Sequence, residues 1–332
     1  MKHLKEPLVS IGLPVFNGAD HFELAVKSIL EQSYQNIELI ISDNGSTDGT
    51  ARIAKKFASQ DSRIKFIKNN ENIGVLNNFN LVLQQSSGRF FMWAASDDLH
   101  SQNFVEECVN HLIANPKAVL CQTRVAVCLE NPEQVIYYSN LNSFKNKTSV
   151  EMRYKETLYN FPAVSIYGMY RTKLAKSIPG FRDVPGGDLL WVEQLSLTGN
   201  FIQCEKTLFK YIARAQWNSF ESDLKNLSST SEYYRNPIFR AIDSIYYRIK
   251  SIKNSQNSNY SKARLMLIAV QYSARTVFVR SLLKLLGIMG GKRIIRNLKH
   301  KMFWKFLHNP NTEIVNHDLF ETRIINPTVG II

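Results

Sequence analysis

Four acidic positions stand where chain geometry gives carboxylates work to do. Asp43 closes the apolar run Ile37-Glu38-Leu39-Ile40-Ile41-Ser42 and precedes the turn-forming Asn44-Gly45-Ser46-Thr47-Asp48-Gly49. At the carboxyl end of a strand in an open α/β sheet, such a carboxylate faces the ligand crevice. There it can accept hydrogen bonds from the N3–H of uracil or thymine or from ribose hydroxyls, or it can satisfy the amides of its own turn. Asp97 and Asp98 follow a second apolar run, Phe90 to Ala94. Hard divalent cations take oxygen ligands and commonly bridge a protein carboxylate and substrate phosphates; the bland alternative is capping of the next helix. Asp188 comes after Pro185-Gly186-Gly187 and opens Leu189-Leu190-Trp191-Val192-Glu193-Gln194-Leu195. A carboxylate there can remove a proton from an attacking hydroxyl, or simply sit favourably on the helix dipole. Glu193, inside the same apolar segment, is the fallback base.

The elements that position these acids alternate. Residues 8–14 read as a buried first strand, and Asn17-Gly18 as a turn able to cap a helix whose Phe22, Val26, Ile29 and Leu30 share a face. Residues 37–42 form a second strand. Ser46 or Thr47 is expected to cap a helix through about Ser59, and Ile64 to Ile67 is a third strand. Leu76 to Gln85 reads as helix, Phe90 to Ala94 as strand, and Gln102 to Ala114 as helix ending before Pro116. Strand–helix alternation of this kind predicts an α/β fold with a doubly wound, mostly parallel, Rossmann-like sheet. Beyond residue 117 a hairpin is expected from Val119–Val127 and Gln134–Ser139 around Asn131-Pro132, then helices over 149–160 and from about Asp188. The Asn/Ser-rich stretch 251–261 reads as a flexible linker.

The 332 residues suffice for one large core and an appendage. No run of 18 apolar residues marks a membrane span, and the first residues lack the apolar core of a secretory signal. Cys108, Cys121, Cys128 and Cys204 show no C-x-x-C spacing. They read as reduced thiols in a cytoplasmic protein. The net charge of +13 is uneven: fourteen Lys or Arg lie between Arg248 and Lys305, and no acid lies between Ser244 and Thr312. Aromatic residues such as Phe303, Trp304 and Phe306 interleave with these charges. Such a segment suits an anionic bilayer surface. Nucleic acid binding or a helical cap with a solvated face are the other readings, and nucleic acid is ranked last.

Residues 8 to about 215 resemble the inverting, nucleotide-sugar-dependent glycosyltransferases of family 2, which have the GT-A fold. Pro14-Val15-Phe16-Asn17 matches that family's P-x-[YF]-N, and Asn72-x-Gly74 with Asn80 is similar to its nucleotide-side helix. Gly88 matches the glycine ahead of the D-x-D strand, and Ala95-Ser96-Asp97-Asp98 looks like D-x-D-D with its first acid replaced. The resemblance implies donor contacts at Pro14, Phe16, Asn17, Asp43, Asn72, Asn80, Ser96 and Asp97. It implies a Mg²⁺ or Mn²⁺ ion on Asp97 and Asp98, and Asp188 as catalytic base. Gly187 and Gln194 stand where the family carries Glu and Arg. Arg214, in Tyr211 to Ser219, falls where relatives hold a Y-R-x-H-like loop near the diphosphate; it either pairs with phosphate or is solvated.

The expected activity is therefore inverting transfer from a UDP- or dTDP-linked sugar to a glycan or lipid-linked glycan, in cell-surface polysaccharide synthesis, at the inner face of the cell membrane. The absence of Q-x-x-R-W points to single-sugar addition. The competing readings are a non-catalytic sugar-nucleotide- or membrane-binding protein on a decayed scaffold, and a sugar nucleotidyltransferase. The expected organisation is a GT-A domain over 1–220, with a nucleotide half 1–117 and an acceptor half 118–220. A basic, mainly helical region, 221–332, follows; its partner would be an anionic membrane surface contacted through 248–308.

Overall fold

The computed structural model describes residues 6–184, 186–213, 237–288 and 311–316. Its first half is the expected alternation: β1 (Val9–Val15), α1 (Ala19–Leu30), β2 (Ile37–Asp43), α2 (Thr50–Gln60), β3 (Ile64–Lys68), α3 (Val75–Gln85) and β4 (Phe90–Trp93). These strands lie parallel in the order β4-β1-β2-β3. Every residue of β1 and β4 is buried. That is why β4 reads as an unbroken apolar run, Phe-Phe-Met-Trp, while β1 sets only the small Ser10, Gly12 and Pro14 between its large apolar residues.

The second half changes character. It comprises β5 (Leu99–His100), α4 (Phe104–Ala114), β6 (Ala118–Leu129), β7 (Val135–Ser139), α5 (Val150–Asn160), β8 (Met169–Arg171), α6 (Thr172–Ser177), α7 (Gly187–Ser196) and β9 (Asn200–Ala213). α8 (Pro237–Asn254), α9 (Asn259–Ile288) and β10 (Thr312–Ile314) complete it. β8 extends the sheet beyond β4 antiparallel, and β6, β7 and β10 follow across it. β6 and β7 form the predicted antiparallel hairpin. β9 runs parallel to β6 and antiparallel to β5. The expected α/β architecture therefore holds, with a parallel half and a mixed half.

Several local expectations are corrected. α2 starts at Thr50 with no side chain capping it in the usual way, not at Ser46 or Thr47. Asn17 does not cap α1; Asp48 reaches across instead, accepting from Ala19 N at 3.1 Å. The stretch 251–261 is not a linker. α8 and α9 form a helical hairpin whose turn is fixed by Ser258 Oγ accepting from Ser261 N and by Asn257 donating to Ser255 Oγ. Strands β5, β8, β9 and β10 were not expected. Three of them are only two or three residues long, and in β9 the exposed Glu205, Lys206 and Thr207 interrupt any alternation.

Two apolar layers cover the sheet. One joins α1 and α4 to β1, β2 and β4 through Phe22, Val26, Ile29, Phe104 and Leu112. The other packs α3, α6 and α7 on the opposite face through Val82, Ala175, Trp191 and Leu195. Gly88 is required where β4 begins: a Cβ there would lie 2.6 Å from the carbonyl of Leu8.

Candidate active site

Because β2, β1 and β4 are parallel neighbours, their carboxyl ends share one edge of the sheet. That edge gathers Asp43, the segment Phe16–Gly18 and the segment Ala94–Asp98. Asp43 is fully buried. Its Oδ1 accepts from Ser46 N at 3.1 Å across the turn that Gly45 makes at φ 75°. Its Oδ2 is buried and has no hydrogen-bond partner among the described residues. Leaving one oxygen of a buried carboxylate without a donor costs free energy, which a ligand N–H or O–H would recover.

Asn17, at φ 48°, braces the turn from the other side. Its N–H donates to Ser46 Oγ and its Oδ1 accepts from Thr47 N, both at 2.9 Å. Phe16 leaves its ring 47% exposed beside this turn. Pro14 is buried in β1, opposite Ser42. Ser96 lies against the β1–α1 turn; its Oγ would be 3.3 Å from a Cβ built on Gly18.

A carboxamide network holds the nucleotide-side helix. Asn78, buried on α3, accepts from Ser42 Oγ at 2.6 Å and donates to Ser42 O at 3.0 Å. Asn69 donates to Asn78 and to Asn44, and Asn44 donates to Asn72 Oδ1 at 2.8 Å, which also accepts from Gly74 N. Asn44, Asn69 and Asn78 were not singled out from sequence. Asn78 occupies a stretch in which family members often carry an Arg.

The charges of the three other acids act on one tyrosine. Burial, and then the charges of Asp98, Asp97 and Asp188, push the Tyr167 phenol well above its ordinary range. Tyr211, whose ring stacks on Tyr167 with centroids 6.1 Å apart, is raised by burial and then by Tyr167, Asp98 and Asp97. Both phenols therefore stay neutral. Asp97 is half-buried. Asp98 is buried and turns Oδ1 to accept from Ile212 N at 2.8 Å, tying the segment after β4 to the end of β9. The oxygen-only donor set of Asp97 and Asp98 has the hardness that Mg²⁺ or Mn²⁺ requires.

Asp188 is half-buried in the first turn of α7, after Gly186 in the left-handed region at φ 73°. An aromatic cluster seats that helix. Trp191 meets Trp93 edge to face at 5.1 Å and Tyr170 at 5.2 Å, and packs on Phe181. Glu193, the fallback base, is instead committed: both its oxygens accept from the Arg248 guanidinium at 2.8 Å, and the two side chains are 7% and 10% exposed. Arg248 also donates to Ser273 Oγ, so the pair joins α7 to α8 and α9.

Asn80, expected at the donor, has its amide engaged elsewhere. Its Nδ2 donates to Phe181 O at 2.8 Å and its Oδ1 accepts from Phe181 N at 2.6 Å. It thus locks the loop before α7 onto α3. Arg214 lies outside the described residues, as do residues 289–310 of the basic segment. A second group able to offer metal ligands, Glu107, His111 and Cys204, has its ligand atoms within 4.8 Å of one another. Glu107 is already paired with Lys206. Cys204 stands eight residues before Ile212 in β9, about 26 Å along an extended strand, so this group is separate from Asp98.

The sequence profile described as Glycosyl transferase family 2 matches residues 10–176. An uncharacterized glycosyltransferase of Haemophilus influenzae is 31% identical over 169 residues, which are 48% of this chain and 67% of that protein. Glycosyltransferase GlyA of Streptococcus pneumoniae is 28% identical over 187 residues, 53% of this chain and 26% of that one. With another Haemophilus influenzae glycosyltransferase the match spans about a third of the relative's length, 34%. The fold is shared with S. aureus TarS, solved with UDP-GlcNAc, at TM-score 0.58 and 17% identity, covering 80% of this chain and 72% of that one. It is shared also with the Pyrobaculum calidifontis mannosyltransferase PcManGT, solved with GDP-Man and Mn²⁺, at TM-score 0.52 and 16% identity, covering 99% and 87%. The profile match covers Asp43 at the end of β2 and the turn after β4 that holds Asp97 and Asp98, and the chain belongs to glycosyl transferase family 2, with the GT-A fold.

Proposed function

We propose that this protein transfers a single sugar, with inversion, from a UDP- or dTDP-linked donor to a glycan or lipid-linked glycan. The observation that carries the reading is the buried, partnerless Asp43 Oδ2 at the shared strand edge, flanked by the Phe16–Gly18 turn and the segment holding Asp97. Asp43 accepts from the base or ribose of the donor, and the turn braced by Asn17 lies against the nucleoside. Asp97, with Asp98 behind it, offers the oxygen ligands for Mg²⁺ or Mn²⁺, which when bound neutralises charge on the departing diphosphate. Asp188 accepts the proton of the acceptor hydroxyl as that oxygen attacks the anomeric carbon from the face opposite the diphosphate. Glu193 is not the base, because its carboxylate is spent on Arg248.

The parallels in the solved relatives support a nucleotide-sugar donor and a divalent ion, since TarS was solved with UDP-GlcNAc and PcManGT with GDP-Man and Mn²⁺. The basic segment 248–308 favours a site of action at the inner face of the cell membrane, within polysaccharide synthesis. Among the described residues no helix is long and apolar enough to cross a membrane. Nucleoside diphosphate release across a panel of sugar nucleotides, with Mn²⁺ and with EDTA, tests the reading. Metal-dependent release from a UDP- or dTDP-sugar is expected. Neither release nor nucleotide binding with any donor overturns it in favour of a non-catalytic protein.

A further inference from the structure

We infer that the outward face of the α8–α9 hairpin is a docking surface for an anionic lipid bilayer. This deepens the membrane partner proposed above and rests on that reading. The hairpin's inner side is taken: Ile252, Leu265 and Ala269 are buried against Tyr154, Leu158 and Leu197 of the catalytic domain, and Arg248 is held by Glu193. The opposite side carries large apolar side chains in the open. On α8, Ile242 and Tyr246 recur at helical spacing and are 53% and 55% exposed. On α9, Tyr260, Leu267 and Phe278 are 72%, 58% and 68% exposed.

Cations are set among these side chains. Lys250 and Lys253 continue the α8 stripe and are exposed, as are Arg264 and Arg275 on α9. Lys250 approaches the Tyr246 ring at 5.8 Å and Arg264 the Tyr260 ring at 5.6 Å. The two helices hold nine Lys or Arg and one acid, Asp243. A protein surface that buries apolar side chains against another protein gains little from so one-sided a charge. A bilayer with anionic headgroups accepts both: rings and aliphatic chains enter the interface while Lys and Arg remain at headgroup level. Charge complementarity thus selects an anionic membrane over a second copy of this chain, which would repel.

The full-length protein is co-sedimented with phosphatidylglycerol–phosphatidylcholine vesicles and with pure phosphatidylcholine vesicles, at low and high salt. Binding to the anionic vesicles is expected, weakened but not abolished by salt, with little binding to the neutral ones. The triple variant Ile242→Ser, Tyr246→Ser, Leu267→Ser should bind at least about tenfold more weakly. Neutralising Lys250→Gln and Lys253→Gln should cost about fivefold per charge at low salt only. Leu24→Ser and Ile113→Ser, exposed apolar positions on α1 and α4, should leave binding unchanged.

Absence of binding to anionic vesicles, equal binding to neutral vesicles, or unchanged binding by the triple variant would each overturn the inference. So would a stable dimer in solution that the same substitutions dissolve. No sugar nucleotide enters this assay, so its failure removes the docking surface and leaves sugar transfer standing. A failed donor panel, conversely, leaves the vesicle result intact.

Discussion

Trp93 and Trp191 meet edge to face with ring centroids 5.1 Å apart, and each lies close in sequence to an acid of the site. Trp93 ends β4, four residues before Asp97; Trp191 sits three residues after Asp188 on α7. The contact packs the end of β4, which leads to Asp97, against α7, which carries Asp188. Trp191→Ala should therefore remove about 3–5 kcal/mol of stability, and turnover should fall even where the variant is fully folded. Trp191→Phe, which keeps a ring in place, should lose less of both. Denaturant titration beside donor turnover reads the two effects separately.

Glu193 and Arg248 offer a second separation of roles. Arg248→Ala leaves a buried carboxylate without its partner and should cost about 3–5 kcal/mol. Asp188→Asn, at a half-buried helix start, should leave stability within about 1 kcal/mol. It should lower turnover by about a hundredfold or more with donor affinity nearly unchanged. Normal transfer by Asp188→Asn, combined with loss in a folded Glu193→Gln, would reverse the assignment.

At the proposed metal site, Asp97→Ala should reduce turnover by about a hundredfold or more. Excess EDTA should do the same to the unaltered protein, and added Mn²⁺ should restore it. Full turnover in EDTA would remove the ion from the reaction.

His100 makes stability depend on pH. Burial between Phe104 and Phe209 lowers its pKa from 6.5 to about 3. The folded state thus holds the imidazole neutral while the unfolded chain binds a proton below its ordinary pKa. Its contribution is fully present above that pKa and is lost as pH falls toward the folded value. The loss should reach about 2 kcal/mol by pH 5. Denaturant midpoints near neutrality and at pH 5 measure it, and His100→Phe should flatten this part of the slope.

Much of the catalytic half was legible in the chain because its signals are local. The apolar-rich stretches of β1, β2 and β4 announce buried strands, and Asp43 with the glycine that follows announces a strand end and a turn. Parallel strands then force Asp43 and the segment holding Asp97 to one edge, and the motifs along those strands carry the resemblance to the family. What the sequence could not supply are relations between distant residues. Asn80 reads as a ligand until Phe181, a hundred and one positions away, is found using both ends of its amide. Glu193 reads as a second base until Arg248 arrives from the C-terminal hairpin. The short strands β5 and β8 have no periodicity to detect, and exist because neighbouring backbones offer them partners. Local pattern fixes which segments become helix or strand; tertiary packing alone decides which polar groups are spent on the fold and which, like Asp43 Oδ2, are left without a partner among the described residues.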